Sequence, residues 1–423
     1  MRNNVKRQIR RNHIGGNALV IGSDIGKDFN AIVFMNKQGE VLYRMKRLNN
    51  DYKGYGDFLQ AVNQLCAKNG FDQRIMGMEP TGHYWRKLGY FAGNSGIEVR
   101  FVKTTFLKHQ KALDQSNPAK ADIKDAYDIA NMMREGRYCD TVVKEDVYQQ
   151  LRRLGKHRGC LLKQSSSVQN RLRAWLDDHF PELMSNFSDV KAKGLRALLR
   201  VAPTPEDVLR IGEEALAGIL AIASRRRNQA RQKARILCEA ARVSIGLPAA
   251  AGPDRLRLAL LLDELDQCLK QIRSLEVEML SLLEQIEESR YLLSIHGIGL
   301  ISAAMFFGEL GDVQGFSCAR DIVSFAGIDP YETESGKFYG RRRISKQGRY
   351  LLRATLYRMA LSVICHNKQI KSYYARKLAS NARLKRKEAL CAVMIKLVKV
   401  IFALIRDKRM YVEEADLRRR EVA

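Results

Sequence analysis

The chain is poor in the residues and patterns that mark fibrous, secreted or membrane-embedded proteins. Its 423 residues include 8 prolines and 30 glycines, too few for a fibrous or low-complexity protein. The eight cysteines lie far apart without a CxxC pair, which favours reduced thiols over a disulfide framework or a zinc ribbon. The longest run without a charged residue, 292–308, is short for a membrane span and contains three glycines. These absences predict a cytoplasmic protein with no membrane partner.

Acidic residues are scarce relative to basic ones. The sequence has 73 lysines and arginines against 46 aspartates and glutamates, a formal net charge of +27. An excess of this size is typical of a surface that binds a polyanion. The hydrophobic content of 46% is high enough for folded cores, and the length suits two or three domains. We therefore expect a folded, nucleoid-associated protein that binds nucleic acid.

Residues 18–140 have the pattern of a mixed α/β domain, preceded by a basic leader at 1–17. Apolar runs predict two strands within 18–36, and alternation predicts a third at 41–47. Further strands are predicted at 74–79 and 97–103, and helices at 55–68, 84–94 and 122–135. Three antiparallel-type strands followed by alternating helices and strands are typical of an RNase H-like domain.

The rest of the chain is predicted to be almost entirely helical. Within 141–290, apolar residues repeat every seven positions over about 254–288, with Glu276 as one interruption. This repeat favours a coiled-coil arm over a single amphipathic helix packed on a globule. The seam consists of Leu258, Leu262, Leu265, Leu269, Ile272, Met279, Leu283 and Ile286. A basic helical domain is expected at 291–412, followed by a tail at 413–423.

Four carboxylates stand at positions suited to metal binding. Asp24 is near the end of the first predicted strand and Glu79 ends the fourth, while Asp122 and Asp125 share one helical face. If these elements converge, the acids would repel one another unless divalent cations neutralised them. Two Mg²⁺ ions, with Mn²⁺ as a substitute, would suit catalysis on a phosphodiester. Taken singly, each acid is more typical of a solvated surface residue, whereas the four together on these elements suit either interpretation.

Two further segments are candidates for contact with nucleic acid. The GxG turn of Gly297 and Gly299 lies between two short apolar helices, and could present backbone N–H groups to a phosphate or could be an ordinary turn. Residues 336–358 contain eight basic residues and no acid. The basic residues are Lys337, Arg341, Arg342, Arg343, Lys346, Arg349, Arg353 and Arg358. Ser335 precedes this cluster, where guanidinium groups could assist a serine nucleophile, although an isolated serine here is more typical of a turn.

Several of these segments together resemble one family. They are GSDIGKD at Asp24, MEPTGHYW at Glu79, KADIKDAYDIA at Asp122, SIHGIG at 294–299, and SFAGIDP, ESG and RRISKQG in the basic region. In this order they resemble the DEDD insertion-sequence transposases related to the Piv invertase, the bridge-RNA-guided recombinases. The resemblance covers about 18–140 and 291–412. The basic leader and the helical insert near 180–250 exceed the shorter members of that family.

The resemblance implies a RuvC-like domain joined through helices to a transposase domain. It implies that Asp24, Glu79, Asp122 and Asp125 form a metal-dependent tetrad and that Ser335 is the nucleophile of a phosphoserine intermediate. The implied partners are donor and target DNA, a structured non-coding guide RNA, and further copies of the chain in a dimer or tetramer.

Two other functions fit the same residues. A metal-only nuclease, such as a junction resolvase, would keep the tetrad and use the region around Ser335 only to grip DNA. A non-enzymatic architectural protein would leave the four acids without a role.

Overall fold

In a computed structural model of the chain, residues 2–80, 82–102, 122–142, 146–223, 227–248, 252–331, 334–335, 338–339, 343–380 and 384–413 are described. These residues form two compact units, 1–146 and 147–423. No described helix is both long and apolar enough to cross a membrane.

The first unit contains a six-stranded sheet. Its strands are β1 (Ala18–Ile25), β2 (Phe29–Met35), β3 (Val41–Asn49), β4 (Gln73–Met78), β5 (Glu98–Val102) and β6 (Tyr138–Val142). They lie in the order β3-β2-β1-β4-β5-β6. Strands β1 to β3 are antiparallel, β4 and β5 continue parallel to β1, and β6 is antiparallel to β5. The predicted strands are confirmed, and β6 was not predicted.

Helices cover both faces of this sheet. They are α1 (Arg2–His13), α2 (Tyr52–Asn69), α3 (Trp85–Asn94) and α4 (Asp122–Arg134). Phe58 of α2 and Leu88 of α3 pack on the face that carries Leu19 and Ile21. Helix α4 packs on the opposite face, which carries Val20. The alternating in-and-out pattern of β1 therefore separates two cores, because successive side chains point to opposite faces.

The basic leader forms α1 and is part of the first unit. The Arg7 guanidinium donates to the Glu135 carboxylate at 2.7 Å, and the Tyr138 hydroxyl donates to the carbonyl of Arg10 at 2.9 Å. Ile14, directly after the helix, is buried at 2% exposure. No sequence pattern in this segment predicts its structure.

The second unit is mostly helical. Its helices are α5 (Val147–His179), α6 (Lys193–Val201), α7 (Pro205–Ala223), α8 (Arg227–Arg242), α9 (Pro253–Glu284), α10 (Ser289–Leu293), α11 (Leu300–Leu310), α12 (Ala319–Ala326), α13 (Tyr350–His366), α14 (Lys368–Ala379) and α15 (Arg386–Arg406). Short 3₁₀ helices span Pro181–Asn186 and Val313–Gly315. Four two-residue strands, β7 (Pro330–Tyr331), β8 (Glu334–Ser335), β9 (Phe338–Tyr339) and β10 (Arg343–Ile344), lie between α12 and α13.

The predicted apolar seam on α9 is covered by α5 of the same chain. Arg158 of α5 pairs with Glu276 at 2.6 Å and Arg171 pairs with Glu264 at 2.8 Å, so the two helices run antiparallel. The seam residues buried on α9 are Leu258, Leu262, Leu265, Ile272, Met279 and Leu283. Glu276, the interruption of the heptads, thus faces an arginine. Burial of the seam does not require a second copy of the chain.

A separate core lies at each end of this helix pair. At one end, Trp175 and Leu258 pack with residues of α6, α7 and α8, which form the insert. At the other end, Leu151 and Met279 pack with α11, α13 and α15. The division of 141–412 at residue 290 stays a prediction, since α9 contributes to both cores.

Candidate active site

The first two predicted carboxylates lie side by side at one end of the sheet. Strands β1 and β4 are parallel, and Ser23 is opposite Met78 in their register. Asp24 directly follows Ser23 and Glu79 directly follows Met78, so the two acids are neighbours. Both are partly exposed. The structure places them together as the strand pattern predicted.

Helix α4 lies unusually close to this pair of strands. A Cβ atom on Gly22 would overlap the carbonyl oxygen of Ala126 and lie 2.5 Å from the nitrogen of Ala130. Gly77 is opposite Gly22 in the register, and a Cβ atom there would overlap the Met133 side chain, whose Cγ would be 2.3 Å away. Because only glycine lets a helix backbone approach a strand so closely, these two positions fix α4 over β1 and β4.

The direction of α4 places its first turn toward the same end of the sheet. Gly136, just after the helix, contacts the backbone of Arg7 and Arg11 in α1, which precedes β1. Helix α4 therefore runs antiparallel to β1, and its first turn lies beyond Gly22, toward Asp24. This turn contains Asp122, which is exposed, and Asp125, which is partly exposed.

A further acid on α4 was missed in the sequence. Asp128 is three residues beyond Asp125 and is only 5% exposed. The i, i+3 spacing of three aspartates in KADIKDAYDIA was the available signal.

The turn that follows Asp24 is held by two asparagines. The Asn30 amide oxygen accepts from the backbone N–H of Gly26 at 3.2 Å, and its Nδ2 donates to Asn50 Oδ1 at 2.7 Å. Asn50 Nδ2 in turn donates to the carbonyl of Lys27 at 2.8 Å. These side chains give fixed partners to the backbone groups at the end of β1. Sequence reading did not single out either asparagine.

Tyr55 supports this turn from α2. Its hydroxyl donates to Asn50 Oδ1 at 3.1 Å. Burial, together with the negative charge of Asp51, raises the pKa of Tyr55 to about 12. The phenol therefore stays a hydrogen-bond donor over the physiological range.

The donor set at this end of the sheet has the chemistry of a divalent-cation site. Hard cations such as Mg²⁺ prefer carboxylate oxygens, and three elements supply them here. Among the described residues, no group of three or more acidic, histidine or cysteine side chains is arranged as the ligands of one ion. The donor chemistry, rather than a preformed ligand cage, is what fits a metal.

Ser335 lies in a small hairpin of the second unit. Strand β7 pairs with β10, and β8 pairs with β9 with Ser335 opposite Phe338. Ser335 is thus the last residue of β8 before residues 336–337. Lys337, Arg341 and Arg342 lie outside the described residues.

The base of this hairpin is closed by a pair that we call the stem clasp, Asp329 and Ser345. Ser345 Oγ donates to Asp329 Oδ1 at 2.6 Å, and the Ser345 N–H donates to the Asp329 carbonyl at 3.0 Å. Next to it, the Lys346 N–H donates to the carbonyl of Gly327 at 3.0 Å. The role of Asp329 was not anticipated from sequence, although it lies in the AGIDP motif.

The described cations of the basic cluster separate into two groups. Arg349 donates to the carbonyl of Glu309 and lies 4.7 Å from the ring centroid of Phe325. Arg353 donates to the carbonyl of Ala326 at 2.8 Å. These two arginines bind main-chain oxygens of α11 and α12, whereas Arg343, Lys346 and Arg358 are exposed. Phosphate contact by any of them stays a prediction.

The GxG turn joins α10 to α11 as predicted. Gly297 has φ +99°, and a Cβ there would lie 2.9 Å from the Cα of Val363. Close packing on α13 thus accounts for Gly297 without any ligand. Gly299 is exposed and directly precedes α11, whose N-terminus has no side-chain cap. Of the two glycines, Gly299 is the one placed where a phosphate could approach backbone N–H groups.

Two family models match the chain. A DEDD transposase model of the IS110 type matches residues 21–181, and the model described as transposase of the IS116/IS110/IS902 family matches residues 289–375. The first contains all four predicted carboxylates and the second contains Ser335. The match to a DEDD domain implies an RNase H-like fold for the first unit and dependence on a divalent metal.

Curated relatives come from bacterial insertion sequences. The chain is 25% identical over 395 residues to an uncharacterised 44.8 kDa protein of the insertion element IS116 from Streptomyces clavuligerus, covering 92% of this chain and 95% of the relative. It is 28% identical to a mini-circle putative transposase for IS117 from Streptomyces coelicolor, over 53% of this chain and 56% of the relative. A transposase for the element IS1111A of Coxiella burnetii is 27% identical over 32% of this chain and 38% of its own.

These similarities set aside the non-enzymatic architectural function, since the matched families are DNA transposases. The two family models lie in the same order as the carboxylate-bearing sheet and the serine hairpin, and the IS116 relative spans nearly the whole chain. The chain therefore carries the two transposase domains of the IS110/IS116 family of insertion sequences, and its function is that of a DNA transposase.

Proposed function

We propose that this transposase cuts and rejoins DNA through a phosphoserine intermediate at Ser335, assisted by Asp24, Glu79, Asp122 and Asp125, with a structured RNA selecting the DNA. The observation that carries the proposal is that Asp24 and Glu79 directly follow the paired Ser23 and Met78 of β1 and β4, on the side of the sheet covered by the helix that supplies the two remaining acids. The serine part rests on the position of Ser335 in the ESG motif of the hairpin.

The four carboxylates would hold divalent cations. Asp24 lies on β1 and Glu79 directly follows β4, whose register is fixed by backbone hydrogen bonds, and Asn30 and Asn50 hydrogen-bond the turn beyond Asp24. Bound cations would polarise the scissile phosphate and stabilise charge on its oxygens. The carboxylates would contribute by holding those charges at a fixed place, which is the preorganisation that phosphoryl transfer needs.

The serine would supply the nucleophile. Its oxygen forms a bond to the phosphorus of the scissile phosphodiester while the bond from phosphorus to one deoxyribose oxygen breaks. The serine proton leaves, and the released deoxyribose oxygen takes up a proton to become a hydroxyl. Because one phosphate ester replaces another, the step can be reversed with a new strand end and needs no ATP.

The guide RNA and the assembly rest on the family resemblance. RNA base pairing would leave no sequence-reading side chains in the protein, and the net charge of +27 suits a chain that binds both DNA and RNA. Dimers or tetramers would let a tetrad and a serine of different copies act on one strand. The enzyme would work on the chromosomal DNA of its host cytoplasm.

The decisive experiment traps the covalent intermediate. Wild type should become attached to a nicked suicide substrate and migrate as a protein–DNA adduct on a denaturing gel. Ser335→Ala should bind the same DNA and form no adduct. Ser362→Ala, a serine substitution in α13, is the matched control and should form adduct at the wild-type level.

The same assay separates the serine mechanism from the metal-only nuclease. If wild type cleaved DNA cleanly and never became attached, the nuclease would be the better description and Ser335 would only contact DNA. An adduct that persists in Ser335→Ala would move the nucleophile elsewhere, with Ser345 as the next candidate.

The tetrad is tested by isosteric neutralisation. Asp24→Asn, Glu79→Gln, Asp122→Asn and Asp125→Asn should each lower recombination by about a thousandfold or more, since each removes a ligand charge. Melting temperatures without metal should hold or rise because repulsion among the acids falls. Asp28→Asn, an exposed acid in the turn after β1, is the control and should recombine normally. Near-normal recombination by any tetrad variant would remove that residue from the site.

A further inference from the structure

An open groove of about 420 Å³ lies between α6 and α9 in the second unit. The groove is far from the hairpin in sequence and formed in part by the helical insert. Its charged lining residues are Lys193, Arg196, Arg200, Asp266, Lys270 and Arg273. Five of these six side chains are cationic and one is acidic.

Some cations of the groove are ion-paired with aspartates and others are not. Asp266 pairs with Arg196 and, at 2.8 Å, with Arg200, which also pairs with Asp263 at 2.7 Å. Lys193, Lys270 and Arg273 are exposed, and within the described part of the chain their side chains make no ion pair or hydrogen bond. The three unpaired side chains therefore add positive charge beside an arginine pair that Asp263 and Asp266 already balance.

Crowding of like charges is visible at the floor of the groove. Burial lowers the pKa of Arg196, and repulsion from Arg273 and Arg200 lowers it further. An arginine remains charged in proteins. The groove thus keeps cations close together at a cost in repulsion, which a bound anion would relieve.

The spacing of these cations suits a linear polyanion. Lys193 and Arg200 are seven residues apart on α6, which is about 10 Å at 1.5 Å per residue. Successive phosphates of a duplex strand advance by about 3.4 Å along its axis, so this wall spans about three of them. Lys270 and Arg273 face it from α9. A single small anion would engage only part of such a row.

We propose that this groove binds the phosphodiester backbone of a nucleic acid, as a site additional to the serine hairpin and the carboxylate end of the sheet. Duplex DNA and structured RNA present the same phosphate chemistry, so both are candidate ligands. Contacts of this kind position a ligand without reading its bases. The insert would then give this transposase a second grip on its nucleic acid.

The test measures the salt dependence of binding by the full-length chain. The probes are a mixed-sequence 20-base-pair duplex DNA and a hairpin RNA of equal length. Lys270→Ala with Arg273→Ala should reduce the log–log salt slope by about two units for the true ligand if both contact phosphates. Arg231→Ala with Arg257→Ala removes two exposed cations of the same unit outside the groove and should change the slope by less than about half a unit.

Two more variants separate charge from structure. Lys270→Arg with Arg273→Lys keeps both charges and should retain the wild-type slope. Asp266→Asn removes the carboxylate that competes for Arg196 and Arg200, so binding should tighten by about three- to tenfold. A role confined to helix packing would not give tighter binding on loss of an ion pair. Both effects are expected at unchanged helical content by circular dichroism.

The outcomes identify or exclude the ligand. A slope change for the RNA alone would show that the groove binds RNA, and a change for the duplex alone would show that it binds DNA. A change for both would show that it binds the phosphate backbone of either nucleic acid. Equal slopes for the groove variant and its control with both probes would overturn the proposal. The proposal would also be overturned if the groove variant lost binding to polyglutamate but not to either nucleic acid. That result would make the groove a site for acidic protein segments.

Discussion

The carboxylate end of the sheet and the serine hairpin are built in opposite ways. Asp24 lies on β1 and Glu79 directly follows β4, two strands that pair over six consecutive residues, with α4 packed against a glycine on each. Ser335 stands on a two-residue strand paired with another two-residue strand, and the base of its hairpin is closed by the stem clasp.

This difference predicts which substitutions each region tolerates. At the sheet, the position of the acids depends on backbone packing, so a change of size at a glycine should disrupt the fold while an isosteric change at an acid should not. At the hairpin, two short strand pairs and the stem clasp hold the segment that carries the serine. Loss of a stem-clasp hydrogen bond should affect the chemistry more than the stability.

The largest effect is expected from Gly22→Ala. The added methyl group would overlap the backbone of Ala126, which cannot move without displacing α4 from β1 and β4. We expect a loss of about 3–5 kcal/mol or failure of the first unit to fold. Thermal melting of Gly22→Ala should be compared with Gly16→Ala, where a Cβ meets nothing within 4 Å. Equal melting temperatures would show that α4 is not held by close approach.

The next largest effect is expected at the stem clasp. Asp329→Ala or Ser345→Ala should lower the rate of adduct formation by about 10- to 100-fold while costing only about 1–2 kcal/mol of stability. Ser345→Thr keeps the hydroxyl and should restore most of the rate. Single-turnover trapping on the suicide substrate measures this. A clasp variant that is destabilised yet reacts at the normal rate would show that the hairpin does not depend on its base.

A smaller effect is expected at Lys346, whose φ of +53° is uncommon for a residue with a side chain. Lys346→Gly should gain about 0.5–1 kcal/mol relative to Lys346→Ala, since glycine adopts this conformation without steric cost. If the lysine contacts phosphate, both variants should lower the salt slope of DNA binding by about one unit. Paired melting and binding measurements thus separate backbone strain from charge, and equal stabilities would exclude strain.

The smallest effect is expected at Tyr55. Its pKa is raised from 10.0 to about 12 in the folded chain, so the unfolded chain loses this proton first as pH rises. The stability that Tyr55 contributes should be complete below pH 10 and lost as pH rises through about 12. Tyr55→Phe should therefore show a shallower fall of melting temperature than wild type between pH 9.5 and 11.5, by the amount of one titrating group. Identical pH profiles would contradict the raised pKa.

Patterns with a short period were sufficient to predict most elements of the first unit. The apolar runs and alternation at 18–36 and 41–47 correspond to β1, β2 and β3, and the strand ends predicted that Asp24 and Glu79 would be neighbours. Strand β6 and helix α1 were missed because neither carries a strong apolar period. Both are stabilised by contacts made across the fold, such as that of the Tyr138 hydroxyl with the Arg10 carbonyl.

The hairpin shows the limit of motif reading at the candidate site. ESG and RRISKQG marked Ser335 and the basic cluster, but no spacing rule distinguishes an arginine that binds phosphate from one that holds a carbonyl. Arg349 and Arg353 donate to main-chain oxygens, and this assignment depends on where α11, α12 and α13 lie. Asp329 was likewise assigned no role, because its partner Ser345 is 16 residues away in sequence.

The heptads of α9 separate what the sequence determines from what the tertiary structure decides. The seven-residue period by itself determined that one stripe of the helix would be buried, because that much apolar surface cannot remain in water. Only the tertiary structure decided that α5 of the same chain covers the stripe and that Glu276 faces Arg158. The physical reason is that hydrophobic burial is non-directional. Any surface of matching shape would cover the stripe equally well, so the choice of partner is made by the chain connections and the ion pairs on either side.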